Sequence, residues 1–464
     1  MIDKAEIEAK AKEFEINPAN VQRDYVFGWI LFALFTQSSL KDRLSLKGGN
    51  ALRKGYFENT RFSKDLDFGI PNDIPQELLL DEVNRACDFI QSKAGVEFVR
   101  EENHVREKFV AAQARPPDLR VYEVRIYFKD FYGHADHIKL KIAMDLTRFD
   151  KVILPIQAVK LIHPYSDSAE VVCEIRCVKL EEIIATKLKC LLQREHAPDL
   201  FDYAYAIKLM GGNLNKGEVI RTLIRKTIFS QNPFVLKSIL LATAFDYFKE
   251  TWAISVMCAR KVLLTAEEAI AALIADLEIL FAGYPNNHFA QFAYFGPELR
   301  TPIMRAGRTQ TLLNIRYKGA DRVVEPYSLK YLQRSDGVER EYLYAFNRSG
   351  GENQPGIRMF VADNIESIQN TDEKFVPRFL IELSKSGELP KKRYLFDPNK
   401  PAPAPRFRVS RKRIGKGLRY IYTCTYCGRR FARSSQNSSL KPHKDKRGYS
   451  CGGRYGSYSG TRYS

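Results

Sequence analysis

The chain has 464 residues, of which 45% are apolar, 12% aromatic and 28% charged, a balance that excludes disordered chain and predicts folded protein. No run of about 18 uninterrupted apolar residues is present to cross a bilayer, and the charged, helix-like MIDKAEIEAKAKEFE has none of the features of a secretory signal. Of the net charge of +18, residues 401–464 hold +15 (16 Lys and Arg against Asp445), which leaves +3 on the first 400 residues and concentrates any attraction for phosphate in a C-terminal appendage. Eight cysteines are too few and too uneven for a disulfide scaffold, so a reducing, cytoplasmic setting is expected.

In chain order, residues 1–178 mix two textures. A helix over Val21–Thr36 precedes a strand Leu44–Lys47, the Gly48-Gly49 pair, a helix-like Ala51–Phe57 and a strand Asp65–Ile70. Later runs Tyr122–Phe128, His137–Asp145 and Val171–Val178 are rich in strand formers. Short elements of both kinds predict an α+β fold. Over residues 179–305 apolar residues recur at helical spacing, as in Ala266–Leu280, and predict packed helices. Residues 306–380 hold the runs Thr311–Tyr317, Arg322–Leu332, Glu341–Asn347 and Ile357–Val361, separated by glycine turns at 318–319, 336–337 and 349–351, which predicts a small antiparallel β domain. A linker over 381–416 includes DPNKPAPAP, whose four prolines favour an extended tether. Residues 417–464 form the basic C-terminal module.

The densest chemistry lies in LKGGNALRKGYFENTRFSKDLDFGI, residues 46–70. Two apart on a strand, Asp65 and Asp67 project to one face about 6–7 Å apart, while Leu66 and Phe68 point into a core. Paired carboxylates repel unless a cation is present, and hard oxygen ligands suit Mg²⁺ held together with substrate phosphates. An isolated Asp-x-Asp also suits a solvated turn or an edge strand. The Gly48-Gly49 pair upstream adds meaning, because its backbone amides can approach phosphate oxygens.

These residues resemble the AbiEii/AbiGii-type nucleotidyltransferase toxin family, whose pattern is KGG-x-AL-R followed by R-x-S-x-D-x-D. Lys47, Gly48, Gly49, Ala51, Leu52, Arg53, Arg61, Ser63, Asp65 and Asp67 supply it, and Asn50 stands where the family usually carries a small hydroxyl residue. The resemblance covers about residues 20–210 and implies a polymerase-β-like core that transfers NMP from an NTP with release of pyrophosphate. It implies that Asp65 and Asp67 hold Mg²⁺ and that Gly48, Gly49, Arg61 and Ser63 bind nucleotide. Two-metal transfer asks for a third carboxylate on a neighbouring strand, and Asp145, at the end of HIKLKIAMD, is the candidate beside its reading as a strand-end turn residue.

Downstream, Leu180, Ile183, Ile184, Leu188 and Leu191 form one helical stripe with Lys187 inside it. Such a lysine either snorkels along the helix or reaches a triphosphate as a point charge. The family carries a lysine helix followed by R-D-x-x-D, which implies the second role. Asp199 and Asp202 match the two acids, Pro198 replaces the arginine, and which acid functions stays open.

In the β domain, Tyr317, Arg322, Glu325, Pro326, Tyr342, Leu343, Arg358 and Phe360 resemble a WYL domain, an SH3-like fold, with Glu341 in the place of the motif's Trp and Asn364 where an Arg usually precedes Ile365. The resemblance implies a module that senses a nucleotide or nucleic acid through Arg316, Arg322, Tyr342 and Arg358. Strand arginines on a solvated face are the plain alternative.

No Cys or His occurs from Phe289 to Thr423, and then Cys424, Cys427, His443 and Cys451 fall within 28 residues. The spacing Cys-x2-Cys-x15-His-x7-Cys offers three thiolates and one imidazole, the closed set of a structural Zn²⁺. Arg429, Arg430, Arg433, Lys441, Lys444, Lys446, Arg447 and Arg454 are interleaved there with Tyr422, Tyr426, Phe431, Tyr449 and Tyr455, the composition of an RNA or single-strand binder. Cys87, Cys173, Cys177, Cys190 and Cys258 are expected to be buried small hydrophobes.

Together these readings predict a Mg²⁺-dependent nucleotidyltransferase that acts on RNA, such as a tRNA 3′ end, as a toxin or phage-defence effector with a WYL-like sensor and a cognate antitoxin. A nucleic-acid-binding regulator with a catalytically silent transferase scaffold is the rival class. Transfer onto a protein side chain would need the same active site.

Overall fold

The computed structural model describes residues 2–109, 120–131, 139–148, 151–230, 233–258, 263–284, 294–333, 339–349, 355–379, 381–384, 418–433, 435–444 and 450–463. The chain divides into two compact units, residues 1–332 with 339–391, and residues 333–338 with 392–464. The linker prolines and the 336–337 and 350–351 turn glycines lie outside the described residues.

The first unit begins with α1 (Lys4–Phe14) and α2 (Pro18–Thr36), followed by β1 (Ser45–Lys47), α3 (Gly48–Ala51), β2 (Asp65–Gly69), α4 (Gln76–Ala94), β3 (His104–Phe109), β4 (Arg120–Lys129), β5 (Lys139–Thr147), β6 (Gln157–Lys160) and β7 (Glu174–Cys177). The seven strands form one mixed sheet in the order β3-β4-β5-β2-β1-β7-β6. Pairing is parallel for β2 with β5 and for β1 with β7, and antiparallel elsewhere. Strict alternation along β5 buries Leu140, Ile142, Met144 and Leu146 and turns Lys141, Ala143 and Asp145 to the other face. The apolar face packs on α2 and α4, where Ile30, Leu34, Val83 and Cys87 meet Ile126 and Met144. The expected strand Val171–Val178 shortens to β7, because a 3₁₀ turn at Ser168–Glu170 precedes it.

Helix α2 starts cleanly, with Asn17 accepting from the Ala19 amide at 2.9 Å and Pro18 in the first turn. Its residues are buried nearly all round, which makes it a core helix. One of them is Asp24. It accepts from Arg53 at 2.7 and 3.3 Å, Lys54 at 2.9 Å and the Tyr165 hydroxyl at 2.7 Å. Arg53 also lies 3.6 Å over the Phe62 ring and donates to the Glu58 and Thr60 carbonyls. Burial pushes the Asp24 carboxyl up, but the adjoining Arg53 and Lys54 charges outweigh it and hold the group well below the usual carboxylate range. The stretch predicted as helix Ala51–Phe57 is instead a π turn over Leu52–Tyr56, closed by Phe57 N–H donating to Leu52 O at 2.7 Å, and it carries both cations.

Six helices follow: α5 (Leu180–Gln193), α6 (Ala197–Met210), α7 (Lys216–Arg225), α8 (Pro233–Leu241), α9 (Asp246–Ser255) and α10 (Ala266–Leu280). A capping box between Thr265 and Glu268 opens α10. Helix α11 (Pro297–Thr309) leads into β8 (Thr311–Tyr317), β9 (Ala320–Gln333), β10 (Glu339–Asn347), β11 (Gly356–Phe360) and β12 (Ile365–Lys374), a five-stranded sheet ordered β11-β10-β9-β8-β12. Ile303 and Met304 of α11 share its core with Leu313, Val324, Leu343 and Phe360, so the sheet module starts before residue 306. Glu341, fully buried, accepts from Arg300 at 2.7 Å and from the Phe295 amide at 2.9 Å, while Arg300 also donates to Leu192 O at the end of α5.

The second unit holds β13 (Leu418–Cys424), β14 (Arg430–Arg433), β15 (His443–Lys444), β16 (Ser450–Cys451) and β17 (Gly456–Tyr463). A three-stranded sheet β14-β13-β17 stands with a two-stranded ribbon β15-β16 around a small core of Tyr422, Leu440, Cys424 and Cys451. No helix among the described residues is long and apolar enough to cross a membrane.

Replacing Asp24 by Ala leaves Arg53 and Lys54 as buried charges without their acid, and a loss of about 3–5 kcal/mol is expected. Arg85→Ala, which removes a mostly exposed partner of Glu82, serves as the control and should cost under about 1 kcal/mol. Denaturant titrations of the two variants check this, and equal losses would refute it.

Candidate active site

The sheet registers build the site. Asp67 on β2 stands directly beside Asp145 on β5, and Asp145 stands opposite Glu123 on β4. Lys47 on β1 opposes Asp67 from the other side. Register partners share a sheet face, so Lys47, Asp67, Asp145 and Glu123 form one row across four strands. The next row is Asp65, Ala143 and Arg125. The three carboxylates singled out from the sequence therefore lie together, half-buried, on one face, with Leu66, Phe68 and Met144 on the other.

Arg125 donates from Nη1 to Asp145 Oδ1 at 2.9 Å and stands 3.5 Å from Glu123. Lys47 donates to the Thr147 hydroxyl at 2.6 Å. Burial pushes the Asp145 carboxyl up, Arg125 pulls it down, and the like charges of Asp65 and Glu123 leave it raised above the ordinary value. Neither Glu123 nor Arg125 was singled out from the sequence. Their signal was present in VYEVRIYF, whose strict alternation places Glu123 and Arg125 on one face, but the register that delivers them to Asp145 is not a local property.

Two glycines shape the edge of this face. Gly48 has φ +73°, and a Cβ there would lie 2.5 Å from Asp67 Oδ2. A Cβ at Gly49 would meet Arg61 Nη2 at 2.7 Å and Ser63 Oγ at 2.9 Å. Gly48, Gly49, Arg61 and Ser63 thus adjoin the carboxylates. Asn50 is fully buried and donates its amide to the Asp65 carbonyl at 2.6 Å, a structural tie to β2.

Lys187 does not stand as an isolated point charge. It is buried and shared between Asp199 at 2.9 Å and Asp202 at 2.7 Å. Arg61 clamps Asp202 through two 2.7 Å bonds, and Arg194 clamps Asp199 at 2.7 and 3.1 Å. His196 closes the cluster at 3.3 Å from Asp199. Three cations face two acids, which leaves one positive charge beside the carboxylate face. Burial disfavours the charged form of every member, yet mutual attraction holds Asp199 and Asp202 below the usual range and Lys187 above it. Arg194 is the basic partner that Pro198 seemed to have displaced; it sits in the α5–α6 turn, five residues before Asp199 rather than next to it.

The residues proposed for ligand sensing divide between the two faces of the five-stranded sheet. Arg316 is held by Glu366 at 3.1 Å and Asp321 at 3.5 Å. Arg322 opposes Ile315 and Arg358 opposes Ala345, both on the core face, whereas Tyr342 alternates with Leu343 to the other side. Glu325 is fully buried and accepts from the Tyr327 hydroxyl at 2.6 Å and from Arg348 at 3.0 Å. Asn364 donates to the Tyr317 hydroxyl at 3.2 Å.

Cys424, Cys427, His443 and Cys451 do converge: their ligand atoms all lie within 4.8 Å of one another. They form a candidate metal-holding group of three thiols and one imidazole. Gly428 has φ +67° and donates to Cys424 O at 2.9 Å, closing the tight turn that holds the first two ligands. Tyr422 and Phe431 are drawn into the core, whereas Tyr426, Tyr455 and Tyr458 are 81%, 68% and 56% exposed. Of the other cysteines, Cys87 and Cys177 are buried as expected, while Cys173, Cys190 and Cys258 are half-buried.

Comparison with known proteins follows this geometry. Residues 29–254 match the family described as nucleotidyl transferase AbiEii toxin, type IV TA system. No curated protein matches the chain. Among solved structures, the chain is similar to MenT4, a nucleotidyltransferase toxin from Mycobacterium tuberculosis H37Rv, at 20% identity and a TM-score of 0.38, covering 61% of this chain and 89% of that one.

Burial pushes the His196 imidazole down to about 4, against the pull of Asp199. Folded protein therefore keeps it neutral where unfolded chain, with a pKa of about 6.5, takes up a proton. The stability this provides is complete above pH 6.5 and is lost as the pH falls toward 4. Thermal midpoints measured from pH 7 to 4.5 should fall, and His196→Gln should flatten the decline; an unaltered profile in the variant would contradict the assignment.

Proposed function

We propose that the AbiEii-type nucleotidyltransferase domain at residues 29–254 moves an NMP unit from an NTP to an RNA hydroxyl, such as a tRNA 3′ end, and releases pyrophosphate. The observation that supports this most is the strand register that brings Asp65, Asp67 and Asp145 onto one face beside Gly48 and Gly49. The enzyme is a nucleotidyltransferase; the acceptor and the roles of individual residues are our reading.

The donor set suits Mg²⁺: three hard carboxylates on one face, with Asp145 raised first by burial and then by its acidic neighbours, call for a cation. Asp65, Asp67 and Asp145 would hold it, and when bound it would supply Lewis-acid stabilisation of the transferring phosphoryl group. Gly48 and Gly49 keep the edge open, since a side chain at either would intrude on Asp67 or Ser63. Their amides and Ser63 then bind triphosphate oxygens. Arg61 and Lys187 act from fixed positions, because Asp202 holds both, so they present a preorganised positive wall and do not swing onto substrate. Asp145 orients and deprotonates the acceptor hydroxyl.

The Cys/His cluster suits Zn²⁺. A tetrahedral ion with bonds of about 2.3 Å to sulfur sets sulfur atoms about 3.8 Å apart, and Cys424 and Cys451 stand at 3.8 Å. His443 presents Nε2 at 3.4 Å from Cys427 and turns Nδ1 to the Lys441 carbonyl at 3.0 Å, the usual outer support of a metal-binding imidazole. With its charge and three exposed tyrosines, the module would engage the acceptor by phosphate pairing and base stacking. In the cell the enzyme would act as a toxin or phage-defence effector restrained by a cognate antitoxin, with the five-stranded sheet as a WYL-like sensor.

Purified protein incubated with each α-labelled NTP, Mg²⁺ and cellular RNA should label a discrete RNA, and Asp65→Ala with Asp67→Ala should lower the rate at least about 10³-fold. Unchanged labelling in that variant would refute the catalytic assignment; binding of RNA with no transfer would favour a regulator. Metal analysis should find about one zinc per chain, lost in Cys424→Ser with Cys451→Ser. Equal zinc in both proteins would refute the metal centre.

A further inference from the structure

We infer that Arg125 is a positioning residue of the carboxylate site, the internal counter-ion that fixes Asp145 and sets how tightly a divalent cation binds. This rests on the metal-dependent reading above. Four carboxylates, Asp65, Asp67, Asp145 and Glu123, occupy neighbouring register positions on one sheet face. Arg125 stands among them, and Lys47 lies at the other end of the row, beside Asp67. Its register partner on β5 is Ala143, too small to engage it, and beyond Ala143 stands Asp65. The guanidinium turns from that empty position to the adjacent row, where Nη1 binds Asp145 Oδ1 at 2.9 Å and Nη2 faces Glu123 at 3.5 Å. The same Nη1 donates to the Val124 carbonyl at 2.9 Å, which fixes the side chain against its own strand.

The side chain is 18% exposed, so the pair is shielded but open to the site. Arg125 therefore ties down one of the two Asp145 oxygens. Glu123 makes the arrangement selective for Arg: its carboxylate holds the second nitrogen of the fork and keeps the first on Asp145. A lysine has charge but no fork. Charge and orientation are thus separable by substitution.

Mn²⁺ is the probe, followed by its free-ion spin-resonance signal in full-length protein without nucleotide, with thermal midpoints recorded for each variant. Arg125→Gln removes the charge, and Mn²⁺ should bind about tenfold more tightly than to wild type while the rate of NMP transfer falls and KM for NTP is unchanged. Arg125→Lys should return Mn²⁺ affinity toward the wild-type value and leave transfer slow, because the fork is still missing. Mn²⁺ bound by wild type but equally or more weakly by Arg125→Gln overturns this inference alone. If Asp65→Ala with Asp67→Ala leaves Mn²⁺ binding at the wild-type level, the metal reading falls, and this inference with it.

Discussion

Parallel pairing between β2 and β5 is the constraint on which the site depends. A strand shifted by one residue turns every side chain to the opposite face, so the register that sets Asp67 beside Asp145 must be held against slippage. Leu66 and Phe68 on β2 and Leu140, Ile142, Met144 and Leu146 on β5 do this. All are buried, and a one-residue slip would exchange six apolar side chains for the aspartates and lysines between them. Each buried side chain contributes about 1.5–3 kcal/mol, far more than the repulsion between half-exposed carboxylates can offset. The apolar face supplies the energy that holds the acidic face together.

Two buried charge systems brace the segment that delivers these strands, and they divide the work. Asp24 ties Arg53 and Lys54, which lie on the π turn between β1 and β2, to the core helix α2. Asp202 ties Arg61, only four residues before Asp65, to α6 and through Lys187 to α5. The connection between β1 and β2 is thereby fixed at both ends, and Asn50 adds a bond to Asp65 itself. Arg61 also feels the charge of Asp65, and Arg194 that of Asp67. The α5–α6 cluster is therefore an electrostatic neighbour of the carboxylate face as well as a brace. Arg300 of α11 binds Leu192 O at the end of α5, and Arg308 binds Glu195 on the turn that carries Arg194, so the sheet module grips the cluster from outside.

Short-range features were legible in the sequence, and features set by strand pairing were not. Helix α2, strand β2, the shared face of Asp65 and Asp67 and the gathering of Cys424, Cys427, His443 and Cys451 follow from spacings of a few residues. Lys187 was visible as an anomaly in an apolar stripe, yet its two acids lie on another helix, so its paired state was not. Arg125 and Glu123 alternate with Val124 in plain view, but only the pairing of β4 with β5 gives them a partner. The same limit explains Arg316, Arg322, Tyr342 and Arg358: each sits on an expected strand, and facing and register, which the motif does not encode, send them to different sides.

Charge is partitioned unevenly along the chain. Residues 1–400 carry +3, whereas residues 401–464 carry +15. A segment this polar has few apolar groups to bury, and among the described residues its core is Tyr422, Leu440, Cys424 and Cys451, with Tyr420, Cys427 and Phe431 packed against them. Small scaffolds of this kind need a staple, and a metal at the Cys/His cluster would serve as one while leaving Tyr426, Tyr455 and Tyr458 outside the core. Of the three, Tyr458 sets its ring edge-on against the core ring Tyr422 at 5.8 Å. Stabilisation by ligation would leave Tyr426 and Tyr455 outside the core, where they are exposed.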